Sequence, residues 1–464
     1  MVHNIKAKVQ ETNQLLRKQS LHTILEQLDG YVMQLSKTNR RKKYTKMKQD
    51  PYSFYRGAAY LFYYDVTKIP FSFHTDEDKL TWIMGDMHFD NFSSFQDEEG
   101  NLVFDVDDFD EGYIGSYLYD LLRMVVSIRL LAEQQGITDE EERDELVVTF
   151  LKAYRKKIKK FAKREEDPKD LYFTTDHTKG PIKKVLKKLE ERQDTHELHK
   201  QTTLNDEGKR VFDREKEKLQ EVSQREYNDI VENWSQYMES IDSELFKGKA
   251  HYQIKDIVKK TGAGVASTGL KRYFILIEGT TDDGNEDDII LEMKEARPPV
   301  PSYFVPYHET FWEQHSHQGK RVVATQKAMH HKADAYLGYL TVRNYEFYVR
   351  ERCAYDKDIS PKHLDSFKPI KQSVKTMGQI AAKIHSRADQ DIHEELLDYH
   401  SEDEIYQTIE QDKDAFIHEL VLWSRFYKRQ VEQDYQLFLE WLKNDFNQRS
   451  KGNENVRSTQ KRSS

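Results

Sequence analysis

Residues 85–92 read GDMHFDNF, and residues 102–112, one turn later, read LVFDVDDFDEG. Gly85 and Asp86 interrupt the apolar run LTWIM (80–84), so Asp86, His88 and Asn91 are expected on a loop. LVFDV reads as a strand that ends at the carboxylate cluster Asp107, Asp108 and Asp110. A carboxylate that accepts a hydroxyl proton, with an Asn and a second carboxylate nearby, is a set of parts suited to phosphoryl transfer from a nucleotide. Asn and Asp offer the hard oxygen donors that magnesium prefers. A calcium loop is excluded by spacing. Counted from Asp105, Phe109 would have to be a ligand, and counted from Asp108, Gly112 would. Asp97, Glu98, Glu99 and Glu111 read as solvated turn residues.

Working outward, residues 51–69 (PYSFYRGAAYLFYYDVTKI) predict a buried helix, and 117–135 carry the three- and four-residue spacing of a core helix stopped by Gly136. Residues 139–247 read as long, charged, amphipathic helices without a chemical motif. The texture changes near His251. IKDIVKK, TGAGVASTG and YFILIEG read as strand, Gly-rich turn and strand, and the polar tip TTDDGNEDD leads to the strand IILEMKEA, closed by Arg297-Pro298-Pro299. Gly262, Gly264 and Gly269 are spaced G-x-G-x-x-x-x-G and feed a strand. A dinucleotide fingerprint would be spaced G-x-G-x-x-G and open a helix. Such a hairpin suits backbone N–H groups approaching phosphate oxygens, with Ser267 adding a hydroxyl. Lys294 interrupts an apolar strand, where burial is costly without an anion. A helix at about 319–332, two strands (AYLGYLTV and YEFYVRER) and helices from 361 to 445 complete the reading.

GD-x-H-x-x-N, a strand, D-F-D and then D-L-L resemble the catalytic segment of aminoglycoside phosphotransferases and related small-molecule kinases. Asp86 stands five residues before Asn91 and Asp108 twelve before Asp120, as in that family. The resemblance implies Asp86 as base, Asn91 and Asp108 as metal ligands, and Asp120 as a buried carboxylate bracing the loop. His88 and Asp110 enter as supporting residues. Gly112 and Gly115 lie between Asp108 and Asp120. Met84 replaces the His that usually precedes the Gly-Asp pair. Lys294 resembles the small-lobe lysine that pairs with the α- and β-phosphates. Helix 319–332 has Gln326 but no Glu to hold it, leaving Glu309 or Glu313 for that role.

In ordinary kinases the Gly-rich loop and lysine precede the catalytic loop; here they follow it. The simplest account is circular permutation, which leaves active-site geometry free because only spatial meeting matters. With FYRGAA (Arg56, Gly57) and AAKIHSRAD (His385, Arg387, Asp389), the permuted set is similar to a bacterial family catalogued as domain of unknown function 2252, from about Tyr52 to Asp391. The expected fold is therefore α+β: a two-lobed, circularly permuted kinase-like fold with a helical insertion. Its parts are a basic helical segment (1–48), a catalytic-loop part (49–136), the insertion (137–250), a small lobe (251–356), a helical part (357–446) and a flexible tail (447–464). His385, Arg387 and Arg56 are phosphate or substrate candidates, Arg through its planar fork.

Composition limits the classes. The 72 Lys+Arg against 81 Asp+Glu give a charge of −9, which argues against general nucleic-acid binding. The run from Arg40 to Lys48 reads as a solvated, mobile surface. No uncharged apolar stretch suffices for a membrane helix, and MVHNIKAKVQETNQ does not read as a secretory signal. The single Cys353 forms no internal disulfide and reads as a packed thiol. His308, His315, His317, His330 and His331 lack metal-site spacing. A cytoplasmic, soluble Mg²⁺- and ATP-dependent phosphotransferase is the expectation, its partners a nucleotide and a hydroxyl-bearing acceptor, most simply a small molecule. A nucleotidyl transferase, a nucleotide hydrolase and a non-catalytic nucleotide binder are the alternatives.

Overall fold

The computed structural model of the chain describes residues 2–446 other than 98, 193–194, 263–267, 280–285, 331, 353 and 391–394, and its architecture is α+β. Gly264, Ser267, His331, Cys353 and the tail 447–464 lie outside the described residues. The helix Leu118–Gln134 is apolar almost all round and is buried at nearly every position from Leu118 to Ala132. A helix of that kind belongs at the centre of a helical layer. It packs against Glu140–Ala162, Phe367–Arg387 and Lys413–Trp441, and Gly136, at φ +84°, turns the chain out of it. The aromatic stretch after Pro51 forms two helices, Pro51–Gly57 and Ala59–Val66, because Ala58 leaves helical geometry at φ −120°, ψ 41°. Among the described residues no helix is long and apolar enough to cross a membrane.

A six-stranded sheet forms the second layer. Its order is Gly338–Val342, Tyr345–Glu351, Ile289–Glu295, Arg272–Ile277, Ile254–Lys260 and Leu219–Glu221, with every neighbouring pair antiparallel. The two-residue period of a strand sorts its faces. Tyr273, Ile275, Ile277, Leu291 and Met293 pack with Trp234 and Tyr237 of the helix Gln224–Ser240. Phe274, Leu276 and Ile290 face the other way, towards Leu198 and Phe212. Lys294 shares the parity of Ile290 and Glu292, which turns it away from the Met293 face.

Two expectations are corrected. The segment 137–250 is not a separate helical insertion. Its first helix contributes Leu146, Phe150, Tyr154 and Phe161 to the main core, while its later part supplies the edge strand Leu219–Glu221 and the helix that covers the sheet. It also contains the hairpin Thr202–Leu204/Arg210–Phe212. There Asn205 Oδ1 accepts from the N–H groups of Glu207 and Lys209 at 3.0 and 2.9 Å, and Gly208 takes φ +75°, a turn chemistry that ends helices. The basic run at 40–48 is not a mobile surface either. Tyr44 and Met47 enter the main core, and Lys43, 2% exposed, lies 2.6 Å from buried Asp29. The helix Lys37–Met47 thus has a packed face as well as a basic one.

Candidate active site

Two short strand pairs align the loops that carry the candidate residues. Thr81–Ile83 pairs with Tyr113–Gly115, ending at Ile83 opposite Tyr113. Phe92–Gln96 pairs with Leu102–Val106, beginning at Phe92 opposite Val106. The loops 84–91 and 107–112 are therefore clamped at both ends and lie side by side. The Asp107 N–H donates to the Asn91 carbonyl at 3.0 Å. Gly85 is required by this approach: it sits at φ +79°, and a Cβ there would overlap the Glu111 carbonyl.

Asp120 holds the first loop from below. Fully buried, it accepts from the N–H groups of Met84 and Gly85 at 2.6 and 3.0 Å and lies 3.2 Å from His385 Nε2. His385 Nδ1 in turn meets the Tyr154 hydroxyl at 3.0 Å. Asp86 is buried and its Oδ1 accepts from Arg123 Nε. Arg123 is itself wholly buried, stacked 4.4 Å over the Tyr55 ring. Burial raises the Asp86 carboxyl, and Arg123 opposes that rise. His88 Nε2 lies 3.9 Å from Asp86 Oδ2, and burial pushes its imidazole far towards the neutral form. Asn91, buried beneath, donates Nδ2 to the Asp86 carbonyl at 2.9 Å.

The sheet reaches this loop pair through charge. Lys294, 6% exposed, forms an ion pair with Asp110. Burial lowers the lysine, but Asp110 outweighs it and the ammonium is held firmly charged. Arg350 Nη1 lies 2.9 Å from Asp107 Oδ1 and 3.3 Å, through Nε, from Glu292, which also binds Arg272. Burial opposes the charge on Glu292, yet the two arginines hold it far below the usual range. The lysine's ion pair is thus with Asp110 rather than with Glu309, Glu313 or a residue of helix Gln318–Met329. That helix instead sends buried Arg321 to the carbonyls of Gly112 and Asp110, both at 2.7 Å, and of Arg297 at 2.9 Å, so it fixes the backbone of the acidic loop.

A cleft open to solvent lies where these parts meet. Asp86, Asp108, Asp110 and Glu111 form one side of its lining, and Thr268, Leu270, Glu295 and Arg297 come from the sheet side. Burial, then Asp110, pushes the Asp108 carboxyl up to about 6. Burial pushes Glu111 up to about 8 despite the Val300 N–H it accepts. Glu111 is therefore part of the cleft, not a solvated turn residue, and Asp97 is buried as well, at the hairpin tip, where it accepts from the N–H groups of Glu99 and Asn101. Arg56 lines the cleft and is held 2.6 Å from Asp90.

The remaining candidates separate. Gly269 (φ +95°) sits beside the cleft residues Thr268 and Leu270, and a Cβ there would press on Leu35 and Asn39. Gly262 (φ +81°) lies just beyond the strand Ile254–Lys260, beside the Lys218 side chain. His385 is spent inside the core on Asp120 and Tyr154. Arg387 caps helix Gln318–Met329, donating to the carbonyls of Lys327 and Ala328 at 2.6 and 3.0 Å. Both are bracing residues in this geometry rather than ligand contacts. His330 is likewise internal, 2.6 Å from the Val106 carbonyl and stacked on Phe95.

Arg123, Arg321 and Lys43 were not singled out by the sequence reading. Arg123 had a signal, since a lone Arg inside LYDLLRMVV must be neutralised within the core. Neither a curated protein nor a solved structure matches the chain. A family described as an uncharacterized protein conserved in bacteria matches residues 36–441, and the chain belongs to that family, domain of unknown function 2252.

Proposed function

We propose that the cleft is the site of an Mg²⁺- and ATP-dependent phosphotransferase, built on a circularly permuted kinase-like arrangement and acting on a hydroxyl-bearing small molecule. The observation that carries the reading is the ion pair between Lys294 and Asp110, which joins the sheet to the acidic loop in the cleft that Asp86 also lines. The donor set suits a hard cation. Asp110 Oδ1 is buried and accepts no hydrogen bond among the described residues, and Asp108 beside it is raised by burial and then by the neighbouring Asp110 carboxylate. Asn91 uses its amide nitrogen on Asp86, which leaves its oxygen as the ligand atom.

Magnesium and ATP, when bound, supply the phosphoryl group and spread its charge. The chain's own residues position and exclude. Lys294 exchanges part of its bond to Asp110 for a phosphate oxygen, and Thr268 and Leu270 shield that end of the cleft. Asp86 Oδ2, with Oδ1 occupied by Arg123, orients the acceptor hydroxyl and accepts its proton.

The test is incubation with labelled ATP, magnesium and a panel of small hydroxyl compounds. γ-Phosphoryl transfer that is lost in Asp86→Asn and Lys294→Ala supports the proposal. Transfer of AMP, or phosphate release without an acceptor, replaces it with a nucleotidyl transferase or a hydrolase. The Asp86–Arg123 pair favours one further reading, a nucleotide binder without turnover, since it ties up the base. That reading predicts a magnesium-dependent thermal shift with ATP, no transfer, and no effect of Asp86→Asn.

A further inference from the structure

Beyond the end of helix Phe367–Arg387, and separate from the cleft residues, three potential ligands converge at the start of helix Ser401–Glu410. A ring nitrogen of His400 and one carboxylate oxygen each from Asp389 and Glu402 all lie within 4.8 Å of one another. Asp389 is 1% exposed and Glu402 4%. Asp389 Oδ2 accepts from the Ser401 N–H at 3.0 Å and lies 3.6 Å from His400 Nδ1. Glu402 Oε1 is met by Arg164 at 3.0 Å, but among the described residues no donor reaches its buried Oε2. Arg164 is half exposed and is shared with Asp403 at 2.9 Å. Two buried carboxylates thus converge beside one imidazole. Such a pair demands a cation or a shared proton, and an acceptor oxygen left bare in the interior costs free energy.

We propose that Asp389, His400 and Glu402 bind a divalent transition-metal ion, zinc by donor type, in a structural site. Two oxygens and one imidazole nitrogen form a mixed donor set that zinc accepts, water completing four-coordination. The ion would pin the end of the helix that carries His385, and through it the Asp120 brace.

The experiment uses the full chain, stripped with chelator and titrated with zinc alone, in wild type, Glu402→Gln and His400→Ala. His400 is partly exposed, so its variant is expected to fold. Asp108→Asn is included throughout, because zinc entering the active-site cleft would be lost in that variant and zinc at the new site would not. Wild type and Asp108→Asn are expected to bind one equivalent, with a melting temperature about 3 °C higher at a hundredfold excess over the dissociation constant. Glu402→Gln and His400→Ala should lose that shift, and X-ray absorption on the bound ion should report nitrogen and oxygen donors. No bound equivalent, or a shift that disappears in Asp108→Asn but persists in Glu402→Gln, overturns the site. Glu402→Gln that is more stable than wild type at every zinc concentration also overturns it, in favour of a shared proton.

Discussion

The two walls of the cleft handle buried charge in opposite ways. On the helical wall, Asp120, His385, Tyr154, Asp86 and Arg123 satisfy one another within one layer, and backbone N–H groups complete the network. On the sheet wall, Lys294 pairs across the gap with Asp110, and Arg350 divides itself between Asp107 across the gap and Glu292 of its own sheet. The first wall is rigid by itself. The second is neutralised in part by its opposite, so an anionic ligand that competes for Lys294 also loosens the contact between walls. Under the proposed phosphotransferase reading, that difference would give a fixed reacting side and a responsive gripping side.

The comparison breaks most visibly at Lys294. Lys294→Ala leaves the partly buried Asp110 without its cation, and chemical unfolding should report a loss of about 3 kcal/mol. Adding Asp110→Asn should restore part of that stability without restoring transfer, which is expected to fall at least about a hundredfold. Next in size is Gly85→Ala, which forces a side chain into a left-handed position against the Glu111 carbonyl. A loss of about 2–3 kcal/mol is expected by the same assay. Asp120→Asn should follow, at about 1.5–3 kcal/mol. Hydrogen exchange would then speed up at the amides of Met84 and Gly85 but not at those of the sheet. Exchange that speeds equally on both walls would refute the independence of the helical wall.

The smallest effect is a slope. Glu111 is raised from 4.5 to about 8 in the folded chain, so between those values the native state holds a proton that the unfolded chain has released. Its contribution to stability therefore declines as pH rises through that window. Glu111→Gln should flatten the fall in melting temperature between pH 5 and 8 while leaving the two ion pairs that cross between the walls untouched.

Much of this was legible in the sequence because it is periodic or tightly spaced. The strands around Phe274 and Met293 announce themselves as short apolar runs bounded by turn residues, and the Leu118 helix by its spacing. Asp86, Asn91 and Asp108 lie within one hairpin of each other, so their neighbourhood follows from local pairing. What is built from long-range meetings was not legible. Nothing in the text of helix Gln318–Met329 says that Arg321 will end on the carbonyls of Asp110 and Gly112. Nothing in GPIKKVLKKLE or YNDIVENWSQY distinguishes a helix that joins the main core from one that covers the sheet. Lys43 was hidden by its neighbours: in a run of basic residues, the one that turns inward looks like the rest. Lys294 was suspected from its strand, but its counter-charge was sought on a helix and came from the acidic loop.

The strand Leu219–Glu221 has a consequence for how the chain tolerates cutting. It flanks Ile254–Lys260, and the Thr261 N–H bonds to the Lys218 carbonyl at 2.9 Å. Deleting the stretch between the helical and sheet layers would strip a strand from the sheet's margin and leave a row of unpaired amides beside the Gly-rich turn. Such a shortened protein should self-associate through that bared ladder rather than survive as a leaner version of itself.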